Sequence, residues 1–282
     1  MSDLSTSFTR ALVRAPAASF VDGLRRVEAG VPVLETALAQ HRRYVAALRA
    51  CGVEPIELPG DPRHADACFV EDTAVIADEM AIITIPGHES RKGEVDEIEK
   101  ALKELITARG AYVPLKNIER IESPGTVDGG DVLRIKNHFI IGLSNRTNRE
   151  GAAQLGKILT ACGKTFAIVH ATDLHLKTSV AYAGNDCCIV TEEYDRDEEF
   201  SNAIEGLITR KIVVPENEKY AANSLRVNET MLMASGFPEL EEALKGRFKA
   251  LPPELPVVRV VTLDMSEFQK MDGGLTCLSL LV

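Results

Sequence analysis

The 282-residue sequence predicts an α/β fold in which five ββαβ units close into one ring. Three observations predict it. Stretches with helical spacing of apolar residues recur five times, each is followed by a short run rich in β-formers, and four of those runs lead through a polar loop into an apolar hairpin. Recurrence of pattern without residue identity marks a repeat architecture. Dividing 282 by five gives units of about 56 residues, so the length reads as one closed domain over 1–282 and not as two ordinary ones.

The first helix is expected over 31–51, where Leu34, Leu38, His41, Val45 and Leu48 share one face at three- and four-residue steps. The other four are expected over 92–109, 147–162, about 196–208 and about 238–247. Three of the five end on glycine, at Gly52, Gly110 and Gly163, where a left-handed cap costs least. The strands that follow are Val53–Leu58, Ala111–Leu115, Thr165–His170, Lys211–Val214 and Pro256–Thr262. Hairpins are expected over Ala74–Pro86, over Asp131–Ser144 turning at Lys136-Asn137, over Ala181–Thr191 turning at Gly184-Asn185-Asp186, and over Leu225–Ser235 turning at Asn228-Glu229. The fifth unit has one apolar strand, Leu275–Val282, and its missing partner is Phe8–Arg14. Pairing the two would close the ring and cover exposed sheet edges.

With 45% hydrophobic and 26% charged residues and a mean hydropathy of -0.02, the chain is neither disordered nor fibrous. The net charge, 32 − 42 = -10, argues against a nucleic-acid partner and favours cationic ligands. No apolar run reaches the roughly 18 residues of a membrane helix, and the polar start Met1–Arg10 does not resemble a secretory leader. A cytoplasmic protein is expected, with its six cysteines as free thiols. No CxxC pair offers a zinc site.

The loops between the post-helix strands and the hairpins would converge on one face. They are 66–72, 128–131, 175–179, 223–224 and 272–277. Taken singly, Cys277 reads as a packed thiol, His175 between Leu174 and Leu176 as a core group, and Asp128-Gly129-Gly130-Asp131 as a turn. The adjacent acids Glu71 and Asp72 interrupt an apolar stretch, and buried charges need partners or a ligand. Equivalent positions in successive units make the stronger case for a site. Cysteine nucleophile, histidine general acid/base and orienting aspartate follow the logic of a covalent triad, and Asp66, Glu71 and Asp72 would select a cation.

The segments Cys68-Phe69-Val70-Glu71-Asp72, Asp128-Gly129-Gly130-Asp131-Val132-Leu133, Gly142 to Asn148, His175-Leu176-Lys177 and Leu275-Thr276-Cys277 resemble those of dimethylarginine dimethylaminohydrolases, of the guanidino-group-modifying superfamily. The resemblance spans nearly the whole chain. It implies the pentein fold, an α/β propeller of five ββαβ units, and hydrolysis of Nω-methylated arginines to citrulline and a methylamine. It further implies Cys277 as nucleophile, His175 as general acid/base and Asp128 as the acidic partner, with no metal or organic cofactor. Glu71, Asp72 and Asp66 would bind the guanidinium and ammonium groups and Arg91 and Arg146 the carboxylate. Leu24 would sit on a lid, and the Met271 backbone would be a further contact. The substrate would be a small cationic amino acid and the chain a monomer or homodimer. Relative to the family's vertebrate pattern, Thr178 stands where serine is usual, Met271 where valine is usual, and Leu278 in place of a second cysteine. Arginine deiminases and amidinotransferases share the chemistry in usually longer chains. A non-catalytic pentein binding module is the alternative from another class.

Overall fold

The computed structural model describes residues 7–26, 29–107 and 115–282. Its strands form five separate three-stranded sheets. β1 (Arg10–Arg14) leads through α1 (Leu34–Ala50) to β2 (Glu54–Leu58), with which it pairs in parallel. β3 (Ala74–Ala77) pairs antiparallel with β4 (Met80–Ile83), and β4 pairs in parallel with β5 (Asn117–Arg120) beyond α2 (Val95–Thr107). β6 (Val132–Ile135), β7 (His138–Leu143), α3 (Arg149–Ala161) and β8 (Thr165–His170) repeat the pattern.

One helical turn, α4 (Leu176–Ser179), precedes β9 (Val180–Gly184) and β10 (Cys187–Thr191); α5 (Glu192–Arg196) and α6 (Glu198–Ala203) then lead to β11 (Arg210–Val214). β12 (Leu225–Val227), β13 (Thr230–Ala234), α7 (Pro238–Lys249) and β14 (Arg259–Leu263) form the last complete unit. After α8 (Ser266–Gln269), β15 (Leu280–Leu281) pairs antiparallel with β1, Leu280 opposite Leu12, so both ends of the chain complete one sheet as expected.

The turns explain why the hairpins are tight. Asp78, Lys136, Asn185, Asp186 and Asn228 hold φ between 49° and 56°, a region that Asn and Asp tolerate best among residues with a Cβ. Gly52 and Gly163, at φ 80° and 74°, end α1 and α3 as left-handed caps. Strands β10 and β13 are buried along their whole length, between the first strand of the sheet and the parallel strand after the helix. Among the described residues no helix is long and apolar enough to cross a membrane.

Three expectations are corrected in detail. The strand paired with β4 is Asn117–Arg120 and not Ala111–Leu115; residues 110–114 lie outside the described residues, and Leu115 is a buried core residue that belongs to no strand. β5 is a largely exposed polar edge, so it carries no apolar signal. The helix expected over 196–208 is divided at Asp197, whose carboxylate accepts the Phe200 N–H at 2.7 Å and caps α6. β14 starts at Arg259, after a segment in which Val257 is 81% exposed.

The first strands of the five sheets, β3, β6, β9, β12 and β15, border a single cavity of about 620 Å3. The segments just before them are the five loops singled out from sequence. At that loop end the cavity reaches Glu71, Lys177 and Thr276.

Candidate active site

His175 immediately precedes α4 in an extended conformation. Its neighbour Leu176 is fully buried and donates its N–H to Asp131 Oδ1 at 3.0 Å. The other oxygen of Asp131 accepts from Ser144 Oγ at 2.6 Å and Thr147 Oγ1 at 2.7 Å, so this carboxylate is committed to holding the histidine loop. Asp128 serves the imidazole: its Oδ2 lies 3.0 Å from His175 Nε2 and its Oδ1 accepts the Gly87 N–H at 2.7 Å. Gly130 is required beneath the ring, because a Cβ there would lie 2.8 Å from His175 Cγ. Burial alone would lower the pKa of His175, but Asp72, Asp131 and Asp128 together raise it to about 9. Imidazolium is thus the resting form at neutral pH.

Cys277 lies in the one-turn helix Thr276–Leu278, and its Sγ accepts the Gly274 N–H at 3.4 Å. Burial, then Glu71 and Asp72, push the thiol up to about 12, against weaker opposing pulls from the Gly274 N–H and Lys177. The free thiol is therefore neutral, and a cation brought beside it would favour the thiolate.

The Gly273-Gly274 pair precedes this turn. Neither glycine is left-handed; Asp272, before them, holds φ 56°. What the pair provides is clearance: a Cβ on Gly273 would lie 2.3 Å from the Phe69 ring, and one on Gly274 2.4 Å from Asn223 Cγ.

A cavity of about 160 Å3 opens beside Cys277 and His175, walled by Asp66, Asp72, Arg91 and Arg146. Asp66 accepts the Leu24 N–H at 3.1 and 3.2 Å, which ties the segment after Phe20 to the cavity rim. Phe20, Phe69 and Phe268 pack with centroids 5.6–6.2 Å apart behind it, each pair contributing about 1 kcal/mol beyond area burial. Arg26 extends the closure, its Nη2 lying 2.7 Å from Asp173 Oδ1 and its N–H donating to Asp272 Oδ2. Asp72 bonds the Gly130 N–H at 2.8 Å and ion-pairs with Arg91. Burial opposes its ionisation, but His175 and Arg91 hold it well below the usual carboxylate range.

A family model described as N,N dimethylarginine dimethylhydrolase, eukaryotic, matches residues 26–276. The N(G),N(G)-dimethylarginine dimethylaminohydrolase of Pseudomonas aeruginosa is 39% identical over 276 residues, 97% of this chain and 99% of that one. The protein of the same name from Streptomyces coelicolor is 33% identical over 277 residues, 96% and 95% of the two chains. This chain belongs to the dimethylarginine dimethylaminohydrolase family. The fold agrees: a cysteine-to-serine variant of the Pseudomonas aeruginosa family member, complexed with citrulline, superposes with a TM-score of 0.86 at 38% identity, covering 98% of this chain and 100% of that one. The N-terminal domain of ArgZ, an arginine dihydrolase of cyanobacteria, has a TM-score of 0.81 at 18% identity over 98% of both chains, a likeness of fold alone.

In this member of the dimethylarginine dimethylaminohydrolase family, Cys277, His175, Asp66, Asp72, Arg91, Arg146, Leu24 and Met271 border the 160 Å3 cavity. Asp128 sits behind His175, fully buried. Glu71 is turned away from that cavity. Its Oε1 lies 2.5 Å from Lys177 Nζ and its Oε2 accepts from Thr276 Oγ1 at 2.7 Å. A buried carboxylate needs a counter-ion, and α4 supplies one two residues beyond His175. Arg91 is also heavily committed: Nε and Nη2 bond Glu94 at 2.8–3.2 Å, Nη2 bonds the Phe69 carbonyl at 2.9 Å, and Nη1 pairs with Asp72.

Two residues stood in the quoted loops without a role. Lys177 neutralises Glu71, and the buried Glu71-Asp72 pair was itself the signal that two cations were needed. Asn223, from the loop of the β12–β14 unit, accepts the Thr276 N–H at 3.0 Å and donates to Thr276 Oγ1 at 3.1 Å and the Lys177 carbonyl at 2.8 Å. It thereby joins the cysteine turn to the histidine loop. The ligand atoms of Asp72, Asp128 and His175 lie within 4.8 Å of one another, the one metal-sized set among the described residues. Their contacts to Arg91, Gly130, Gly87 and each other already occupy those atoms.

Proposed function

We propose that this protein hydrolyses Nω-methylated L-arginine to citrulline and dimethylamine or methylamine, with Cys277 as nucleophile and His175, oriented by Asp128, as general acid and base. The observation that carries the reading is the junction of a neutral, half-buried thiol, an imidazolium and two acids, Asp66 and Asp72, on one 160 Å3 cavity. Support comes from relatives crystallised with citrulline and, in a histidine-to-glycine variant, with an S-methyl-L-thiocitrulline adduct.

A guanidinium is cationic and resonance-stabilised, so water attacks it poorly. Bound beside Asp72 and Asp66, its charge offsets the carboxylates that keep Cys277 protonated, and the thiol loses its proton as the substrate arrives. The thiolate adds to the central carbon, and imidazolium His175 gives its proton to the departing dimethylamine. The resulting S-alkylthiouronium is attacked by water, whose proton returns to His175; collapse expels the Cys277 sulfur and leaves citrulline. Arg146, partly buried with Nη1 at 3.5 Å from Asp128 Oδ2, and the last N–H of Arg91 are the cationic groups offered to the substrate carboxylate. The free cysteines suit a reducing, cytoplasmic location.

Citrulline release from asymmetric dimethylarginine and from arginine, by wild type and Cys277→Ala, tests the reading. Much higher kcat/KM for dimethylarginine, lost in the variant, is expected. Equal or better turnover of arginine would establish the deiminase activity instead, undiminished turnover by the variant would reject the mechanism, and no turnover of either substrate would favour a binding module.

A further inference from the structure

The 160 Å3 cavity is not the only space at the Cys277 sulfur. A second cavity of about 30 Å3 is bordered by Glu71, His175, Lys177, Thr178, Asn223 and Cys277. It is too small for an arginine side chain, yet exceeds the roughly 10–15 Å3 that a single water occupies. Four residues with polar side chains, Glu71, Lys177, Asn223 and Thr178, contribute to its lining. Glu71 is the one hydrogen-bond partner of Lys177 Nζ among the described residues, so two of its three N–H groups are available to a ligand. N-methyl groups pressed against these atoms would deprive them of solvation, at a cost of about 1–3 kcal/mol for each stranded group. Water loses nothing there.

The walls are also fixed before any substrate binds. Asn223 bonds both Thr276 and the Lys177 carbonyl, Thr276 Oγ1 bonds Glu71, and Glu71 pairs with Lys177, so four of the five loops are locked into one hydrogen-bonded circuit. We propose that this cavity holds the nucleophilic water of the second half-reaction, between the Lys177–Glu71 pair and the two groups that react, His175 and Cys277. The proposal rests on the covalent hydrolytic reading above. In the step it serves, a water oxygen bonds the thiouronium carbon, one water proton passes to neutral His175, and the C–S bond breaks. The electron pair of that bond returns to sulfur, and loss of the second proton leaves the citrulline carbonyl.

Filling the cavity should stall the second half-reaction and spare the first. With asymmetric dimethylarginine, Thr178→Met is expected to release one equivalent of dimethylamine in a burst and then turn over roughly tenfold or more slowly. Intact-protein mass spectrometry of quenched samples should find most of the enzyme as the substrate adduct lacking dimethylamine. Thr178→Ser, which only enlarges the space, should turn over without accumulating it. A slow Thr178→Met enzyme with neither burst nor adduct, or one as fast as wild type, overturns the proposal. If Thr178→Met does not fold, Thr178→Val decides: it keeps the volume, removes one polar partner, and should show measurable adduct where wild type shows none. Wild type releasing neither product would instead sink the hydrolytic reading itself.

Discussion

Lys177 Nζ lies 2.5 Å from Glu71 Oε1, and both side chains border the large cavity under the first strands as well as the small one beside Cys277. The pair is a partition between the two. Lys177→Met leaves a buried carboxylate without its counter-ion, which costs about 3–5 kcal/mol, and adding Glu71→Gln recovers most of it. Guanidinium chloride unfolding of the single and double variants measures both; a single variant as stable as wild type contradicts the pairing.

The two reacting groups have reversed protonation in the free enzyme. With Cys277 near 12 and His175 near 9, thiolate and imidazolium coexist in only a small fraction of molecules. kcat/KM should climb tenfold per pH unit through the neutral range and level as His175 loses its proton near 9. Asp72→Asn removes a carboxylate that raises both groups, so the upper break moves down and iodoacetamide alkylates Cys277 faster at pH 7. A free-enzyme alkylation midpoint near the ordinary cysteine value, about 8.5, would refute this ordering.

His41 sets the acid limit of stability. It is 3% exposed on α1, its Nε2 has no partner among the described residues, and burial lowers its pKa to about 4, against a weaker upward pull from Glu57. Between pH 6.5 and about 4 the unfolded chain binds a proton that the folded one refuses, so stability falls with pH across that window by roughly 3 kcal/mol. His175 acts in the opposite sense: its contribution is complete below 6.5 and is lost as pH rises through 9. Thermal melts should peak near pH 6.5, and His41→Leu should flatten the acid side alone.

Gly274→Ala places a methyl 2.4 Å from the Asn223 carboxamide. Either the cysteine turn or Asn223 must shift, with an expected stability loss of about 1–3 kcal/mol and a fall in kcat of about 100-fold from the displaced thiol. Asn223→Ala in the same chain should restore stability more than kcat, because it relieves the overlap but also releases Thr276. Equal recovery of both would show that Asn223 merely fills space.

The repeat was legible because the helical spacing and the short apolar strand runs both survive in the residues. β5 was not, because its side chains face solvent and nothing selects them to be apolar. The site loops were legible as chemistry out of place: a Glu71-Asp72 pair in an apolar run, and cysteine and histidine at matching positions. Which acid meets which cation was not. The split of Glu71 to Lys177 and Asp72 to Arg91 depends on loops more than 100 residues apart in one case and 19 apart in the other, a matter of tertiary geometry.

The pairing of Leu280 with Leu12 sets a schedule for synthesis. A ribosome delivers β1 about 270 residues before β15, so the sheet opened by Arg10–Arg14 stays one strand short until β15 has emerged. The thiol turn at Thr276–Leu278, just before β15, is anchored by that late pairing. Nascent chains can therefore assemble the acid-lined loops, but they do not hold the nucleophile in place until the last strand docks.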